Sequence, residues 1–266
     1  MSYIFSLIAF VLALALPSFA MAGSTEGSKS ILSKVEVATF ANRVQQDLAA
    51  RGASVAIVSR VGRKPNTLPA GVDYTHVAFW VFSQITHANG STGRGYQVYN
   101  LYQKSSDDTR SSLVQERPAD FFAGAYSLDA GVIVPDVRVQ EKLLNVIASS
   151  TYSALHNPRY SVLANPNSSQ FQNCTEHTLD VLMAGLYGIS DIPQIKANIS
   201  AYFQPQHIKI GGLKRALAPV KSQALTTSDH GATVSTATFG SIARFMDAND
   251  LASSIYRITP DQLVSF

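Results

Sequence analysis

Phe171-Gln172-Asn173-Cys174-Thr175-Glu176-His177 is the stretch that decides how this chain is built. Asn173 carries the short polar side chain that accepts from backbone N–H groups at a helix start, and Glu176, three residues on, completes a capping-box pattern. Cys174 is thereby placed in the first turn of a helix. Leu179, Val181, Leu182 and Leu186 make that helix amphipathic, and Gly188 ends it. In a first turn the unpaired N–H groups and the helix dipole stabilise a thiolate and can bind an oxyanion, so a lowered thiol pKa is expected. The chain has a single cysteine, which excludes an intramolecular disulfide and a zinc site built on several cysteines. A packing residue, a link to another chain and a reactive thiol remain.

Upstream, Tyr3 to Leu16 is an apolar run followed by Pro17 and the small-residue patterns Ser18-Phe19-Ala20 and Ala20-Met21-Ala22. This predicts a secretory signal peptide over residues 1–22, cleaved after Ala20 or Ala22, although no Lys or Arg precedes the apolar run. The rival reading is an uncleaved membrane anchor. No later stretch is long and apolar enough to span a bilayer, so the expectation is an exported protein, most simply periplasmic, with no stable span after cleavage. The formal net charge is +3, and the basic residues Lys209, Lys214, Arg215 and Lys221 are scattered without interleaved aromatics. That argues against nucleic acid as a partner.

Residues 23–32 read as a flexible mature N-terminus, and 33–266 as one domain with a C-terminal extension from about residue 205. Ser33 with Glu36 opens a helix to about Ala50, with Phe40, Val44 and Leu48 on one face. Strands are predicted at 54–60, 75–82, 96–102 and 130–134, the second and third forming an antiparallel hairpin. A helix follows over 136–155, then the cysteine helix. Beyond it the pattern gives a helix at 195–203, a strand at 232–239, a helix at 241–248 and a strand at 255–258.

A cysteine nucleophile needs a base and a group to orient it. There are six histidines. His76 opens the most hydrophobic strand and shares a face with Ala78, Trp80 and Phe82; from spacing alone, a strand-end imidazole satisfied by a backbone carbonyl is the leading interpretation. His177 shares a helix face with Cys174 but leaves little room for a substrate between them, so a supporting role fits it better. Asp229-His230 reads as a polar loop, and His87, His156 and His207 carry no supporting pattern. No Gly-x-Ser-x-Gly elbow, His-Glu-x-x-His, phosphate loop or calcium loop is present, and no cofactor or metal is expected.

Taken together, Thr75-His76-Val77-Ala78-Phe79 and the later Asn173-Cys174-Thr175-Glu176-His177 resemble the circularly permuted NlpC/P60 group of papain-like thiol hydrolases. That group includes the lecithin-retinol acyltransferase-like enzymes, whose cysteine lies in a similar Asn-Cys-Glu-His run. More closely, the chain resembles the bacterial exported family domain of unknown function 2145. The stretches carrying this are Arg60-Val61-Gly62, Tyr74-Thr75-His76-Val77, Tyr160 to Pro166, Gln172-Asn173-Cys174 and Asp229-His230. The resemblance implies an α+β, papain-like core of antiparallel sheet packed on helices. It also implies a Cys174 nucleophile, a His76 base and an orienting residue on the next strand. Asn100 is the choice for that residue, with Gln97 on the opposite face and Gln84 as rivals; Gln172 and Asn173 are candidates for lining the oxyanion site.

The leading expectation is a periplasmic cysteine hydrolase or acyltransferase acting on an amide or ester, with peptidoglycan peptides or a lipid as substrate class. The alternative is a non-catalytic envelope binding protein that keeps the fold. A buried sulfur with His76 turned away would favour the alternative.

Overall fold

The computed structural model of the chain describes residues 25–27, 30–86 and 89–265; the predicted signal peptide lies outside the described residues. Helix α1 (Lys34–Ala50) is opened by the predicted Ser33–Glu36 capping box. It leads into an antiparallel meander of β1 (Val55–Arg60), β2 (His76–Thr86), β3 (Thr92–Gln103) and β4 (Ser111–Glu116). A short α2 (Pro118–Ala123), with Pro118 supplying the preset φ of a first helical turn, precedes β5 (Ala130–Pro135). The single helix predicted over 136–155 is two helices, α3 (Val137–Ile147) and α4 (Ser150–Ala154), because the Ser149 hydroxyl accepts from Thr151 N and starts a new helix.

The cysteine helix is α5 (Cys174–Tyr187), closed by Gly188 at φ 66°. After it come α6 (Ile192–Tyr202), β6 (Gln206–Ile208), α7 (Gly212–Lys221), β7 (Val234–Thr236), α8 (Phe239–Ala248), β8 (Ala252–Ile258) and β9 (Leu263–Ser265). The strand predicted over 232–239 is shorter because the Thr238 hydroxyl caps α8 by accepting from Ser241 N at 3.1 Å.

The fold is mixed α+β. Seven strands form one sheet in the order β4-β3-β2-β1-β5-β8-β9, every neighbouring pair antiparallel. Helices cover both faces, so the central β1 and β5 are buried along their whole length and read as apolar runs rather than alternating ones. On one face α1 and α2 bring Phe40, Val44, Leu48, Phe121 and Phe122 against Ala56, Val58, Ala78 and Trp80. On the other, α3, α5 and α8 bring Leu143, Leu179, Leu182, Ile242 and Met246 against Val55, Ile57, Val77 and Phe79. The period-two alternation of β2 therefore assigns even-numbered residues to the α1 side and odd-numbered ones to the α5 side.

Thr25, inside the stretch expected to be flexible, is buried and its hydroxyl donates to Gln103 Oε1 at 2.9 Å. The residues after 205 are built into the same domain: β8 pairs with β5 inside the main sheet, and α8 enters the core.

Candidate functional site

Asn173 is the N-cap of α5, its Oδ1 accepting from Glu176 N at 2.9 Å while its Nδ2 donates to the Val162 carbonyl at 3.1 Å. The second half of the expected capping box is missing. The Glu176 carboxylate turns into the protein and pairs with Lys196 Nζ at 2.7 Å, and Lys196 also meets Asp180 Oδ1 at 2.7 Å. Burial pushes the Glu176 carboxyl well above its ordinary range, only partly opposed by Lys196. Gln172 belongs to this scaffold: its Nε2 donates to Asp180 Oδ2 at 2.8 Å and to the Leu155 carbonyl, and its Oε1 accepts from Asn157 N. With its amide committed, Gln172 lines a different hollow from the one above Cys174.

Cys174 is 4% exposed and packs with Leu101, Tyr160 and Ala224. Burial raises its thiol pKa; the backbone N–H of Val77, the hydroxyl and N–H of Thr175, and the Arg60 charge pull the other way and do not overcome it. The lowered pKa expected from the first-turn position is thus reversed, because desolvation of a thiolate outweighs a few aligned N–H groups.

His76 is fully buried on the face of β2 that it shares with Trp80. That face is the α1 side. Its ring stacks on Tyr102 at 4.8 Å and on Phe121 at 5.6 Å. Burial first, then the adjacent Arg60 guanidinium, hold it well below the usual histidine range, with Asn100 acting in the opposite direction. Neither ring nitrogen has a well-formed hydrogen bond, nor does Asn100 Oδ1. Asn100 Nδ2 instead donates to Glu116 Oε1 at 2.7 Å, which also accepts from Tyr102 Oη at 2.8 Å. His76 and Asn100 lie within reach of each other across β2 and β3, whereas Cys174 contacts Val77, the neighbour pointing to the opposite face. The rival Gln97 pairs with Gln115 at 3.3 Å, away from this cluster. His177 is a buried imidazole near Tyr152 O at 3.3 Å, held down to about 3 by burial and by His156.

Above Cys174 lies a cleft of about 340 Å³. Its floor is the start of α5 and the 160–163 segment. One wall is the loop from Arg63 to Tyr74, and the other is built by β6, α7 and β7. This gives the C-terminal third a role that the sequence alone did not disclose. Apolar side chains dominate the lining: Leu68, Pro69, Val72, Val162, Leu163, Ile208 and Leu225, with Tyr74 and Tyr160. Arg63, Lys209, Lys214 and Arg215 add four cations, and among the described residues no Asp or Glu lines the cleft. Arg215 is spent on structure, donating to Thr227 Oγ1 at 2.9 Å and to the Gly231 carbonyl at 2.8 Å. Arg63 is half-buried, has no hydrogen-bond or ion-pair partner among the described residues, and is pulled below its ordinary pKa by burial. A sequence signal for this wall existed: the chain has no carboxylate between Asp191 and Asp229.

The buried Asp229-His230 pair clamps the floor. Asp229 Oδ2 accepts from Asn165 N at 2.8 Å, and His230 Nε2 lies 2.7 Å from the Leu163 carbonyl. Thr75 Oγ1 likewise accepts from Gly62 N at 2.9 Å. Of the short stretches that carried the family likeness, Tyr74-Thr75, Tyr160, Val162-Leu163 and Asn173-Cys174 line this one cleft. Among the described residues no group of three or more His, Cys, Asp or Glu is disposed to hold a metal ion, and no helix is long and apolar enough to cross a membrane. Comparison with curated proteins and with solved structures returns no match. The family model for DUF2145, described as an uncharacterized protein conserved in bacteria, matches residues 47–246, a span holding the Cys174 floor, the Arg63 wall and the Asp229-His230 clamp; the chain belongs to that family.

Proposed function

We propose that this chain is an exported, periplasmic binding protein whose cleft takes an amphipathic anion: an apolar chain with a carboxylate or phosphate head. The observation that carries this reading is Arg63, a half-buried cation that among the described residues has no partner, in a largely apolar cleft lined by none of their carboxylates. An unpaired buried charge costs free energy that a bound anion returns. Lys209 and Lys214 at the rim favour the same sign of ligand. The resemblance to the permuted NlpC/P60 group fits a thiol-hydrolase scaffold that keeps its cysteine helix and uses the cleft for binding.

The test is calorimetric titration with myristate, with the matching monoglyceride and with acetate. Myristate should bind, and each of the other two at least about tenfold more weakly. The monoglyceride lacks the charge, and a hydrogen bond to a charged group is worth roughly 1.5–3 kcal/mol, while acetate lacks the chain, whose burial is worth roughly 0.8 kcal/mol per CH2. Arg63→Gln should weaken myristate binding by about 10- to 100-fold on the same scale. Equal affinity for the neutral chain, or an unaffected Arg63→Gln, sinks the reading.

A second reading, a cysteine hydrolase or acyltransferase acting on an amide or ester, is favoured by one observation. Cys174 sits at the cleft floor in the first turn of a 14-residue helix, with N–H groups of Val77 and Thr175 directed at its sulfur. In that reading Cys174 is the nucleophile and the His76–Asn100 pair must turn toward it. The two readings differ in thiol reactivity. For a binding protein, iodoacetamide near neutral pH should alkylate Cys174 about tenfold or more slowly than free cysteine, because alkylation follows thiolate fraction and access. His76→Phe, which keeps the stacked ring, should leave that rate unchanged. Alkylation faster than free cysteine, lost on His76→Phe, would establish the enzyme reading instead.

A further inference from the structure

Helix α7 is inside out. At about 100° per residue, Ala216, Leu213, Leu217 and Val220 fall on one continuous arc, while Lys214, Ala218 and Arg215 fall on another. An amphipathic helix of a soluble domain normally turns its apolar arc to the core. Here Lys214, Arg215 and Ala218 line the cleft. The apolar arc faces out, with Leu213 74%, Leu217 46% and Val220 84% exposed, and no residue of the helix is buried. Arg215 fixes this orientation by donating to the carbonyls of Thr227, His230, Gly231 and Ala232.

We propose that the outer face of α7 docks on an anionic lipid surface. Three apolar side chains on one arc, flanked by lysines and without an acidic residue in the segment, form the pattern of a helix lying in a membrane interface. Charge complementarity selects the partner. Lys209 and Lys214 are exposed and have no ion-pair or hydrogen-bond partner among the described residues, and the chain offers no carboxylate between Asp191 and Asp229 to neutralise them. At the end of the helix the Asp108 carboxylate is engaged, accepting from Ser222 Oγ at 2.6 Å. The lysines then meet lipid headgroups while Leu213, Leu217 and Val220 enter the headgroup–acyl boundary. Docking on this face sets the mouth of the cleft, with its rim lysines Lys209 and Lys214, beside the lipid, and it does not depend on what the cleft holds.

The experiment uses the full chain carrying Leu217→Trp. The native Trp80 is fully buried and gives a constant background. Phosphatidylglycerol-containing vesicles should shift the new emission to the blue, and lipids brominated on the upper acyl chain should quench it. Vesicles of phosphatidylcholine alone should do neither, and added salt should reverse the shift. Adding Lys209→Glu and Lys214→Glu should abolish it. Because the readout is at position 217, capture of the chain through its apolar N-terminal stretch does not mimic it. No shift with anionic vesicles overturns the proposal, as does an equal shift with neutral ones. A shift that follows protein concentration without vesicles also overturns it, since a second copy would then cover the arc. Myristate binding without vesicles reports separately on the cleft.

Discussion

Lys196→Ala is expected to lower the free energy of unfolding by about 3–5 kcal/mol, the usual result of removing one partner from a buried charge cluster. Among the described residues Lys196 Nζ is the only cation paired with two fully buried carboxylates, lying 2.7 Å from Glu176 Oε1 and 2.7 Å from Asp180 Oδ1. Burial alone would push the ammonium down, yet the two carboxylates together hold it above its ordinary pKa. Without it, Asp180 keeps only the amide of Gln172, and Glu176, whose Oε2 already lacks a partner, keeps nothing. Urea denaturation with a constant slope would measure the loss. The triple variant Lys196→Met, Glu176→Gln and Asp180→Asn should recover much of it, because no uncompensated charge remains buried. If Lys196→Ala costs less than about 1 kcal/mol, in the range of an exposed pair, water reaches the cluster. The consequence reaches the cleft, since the cluster ties the first two turns of α5, and therefore Cys174 and Thr175, to α6.

The same cluster shows what a sequence discloses and what it withholds. Local patterns were legible: the Ser33–Glu36 box, the Asn173 cap and the β2–β3 hairpin all depend on residues close in sequence or on one strand pair. Glu176 looked like the other half of a cap because three-residue spacing is all a sequence shows, and Lys196 claims it from 20 positions away. Parity along β2 was also readable, yet it does not say which sheet face the cysteine helix covers. Topology decides that, and it sets Cys174 on the side of Val77 and His76 on the side of Phe121. The cationic wall was hidden for a related reason. Lys209 and Lys214 are scattered in sequence and meet Arg63 only through the fold, while the periodicity of α7 cannot reveal that its apolar arc faces outward.

His177→Leu should change the stability difference from wild type by about 2–3 kcal/mol between pH 6.5 and pH 4.5, with the variant gaining as the pH falls. Burial, and secondarily His156, hold the folded His177 down to about 3, against about 6.5 in an unfolded chain. A histidine depressed in this way stays neutral in the native state while the unfolded chain takes up a proton, so the native state loses stability as pH drops below about 6.5. The slope is about 1.36 kcal/mol per pH unit. His76, also depressed, acts in the same direction. Glu176 and Asp180 are raised, so the native state binds their protons first and gains stability over part of the same window. Wild type alone would show these opposing slopes partly cancelled. The difference between His177→Leu and wild type isolates the one imidazole, because both proteins keep the carboxylates and His76. At pH 7 the variant should be slightly the weaker, by about 1 kcal/mol for the lost contact to Tyr152 O. A difference that stays constant from pH 7 to pH 4.5 would mean that His177 is protonated in the folded protein, which would place a second cation beside Lys196 and revise the charge balance under Cys174.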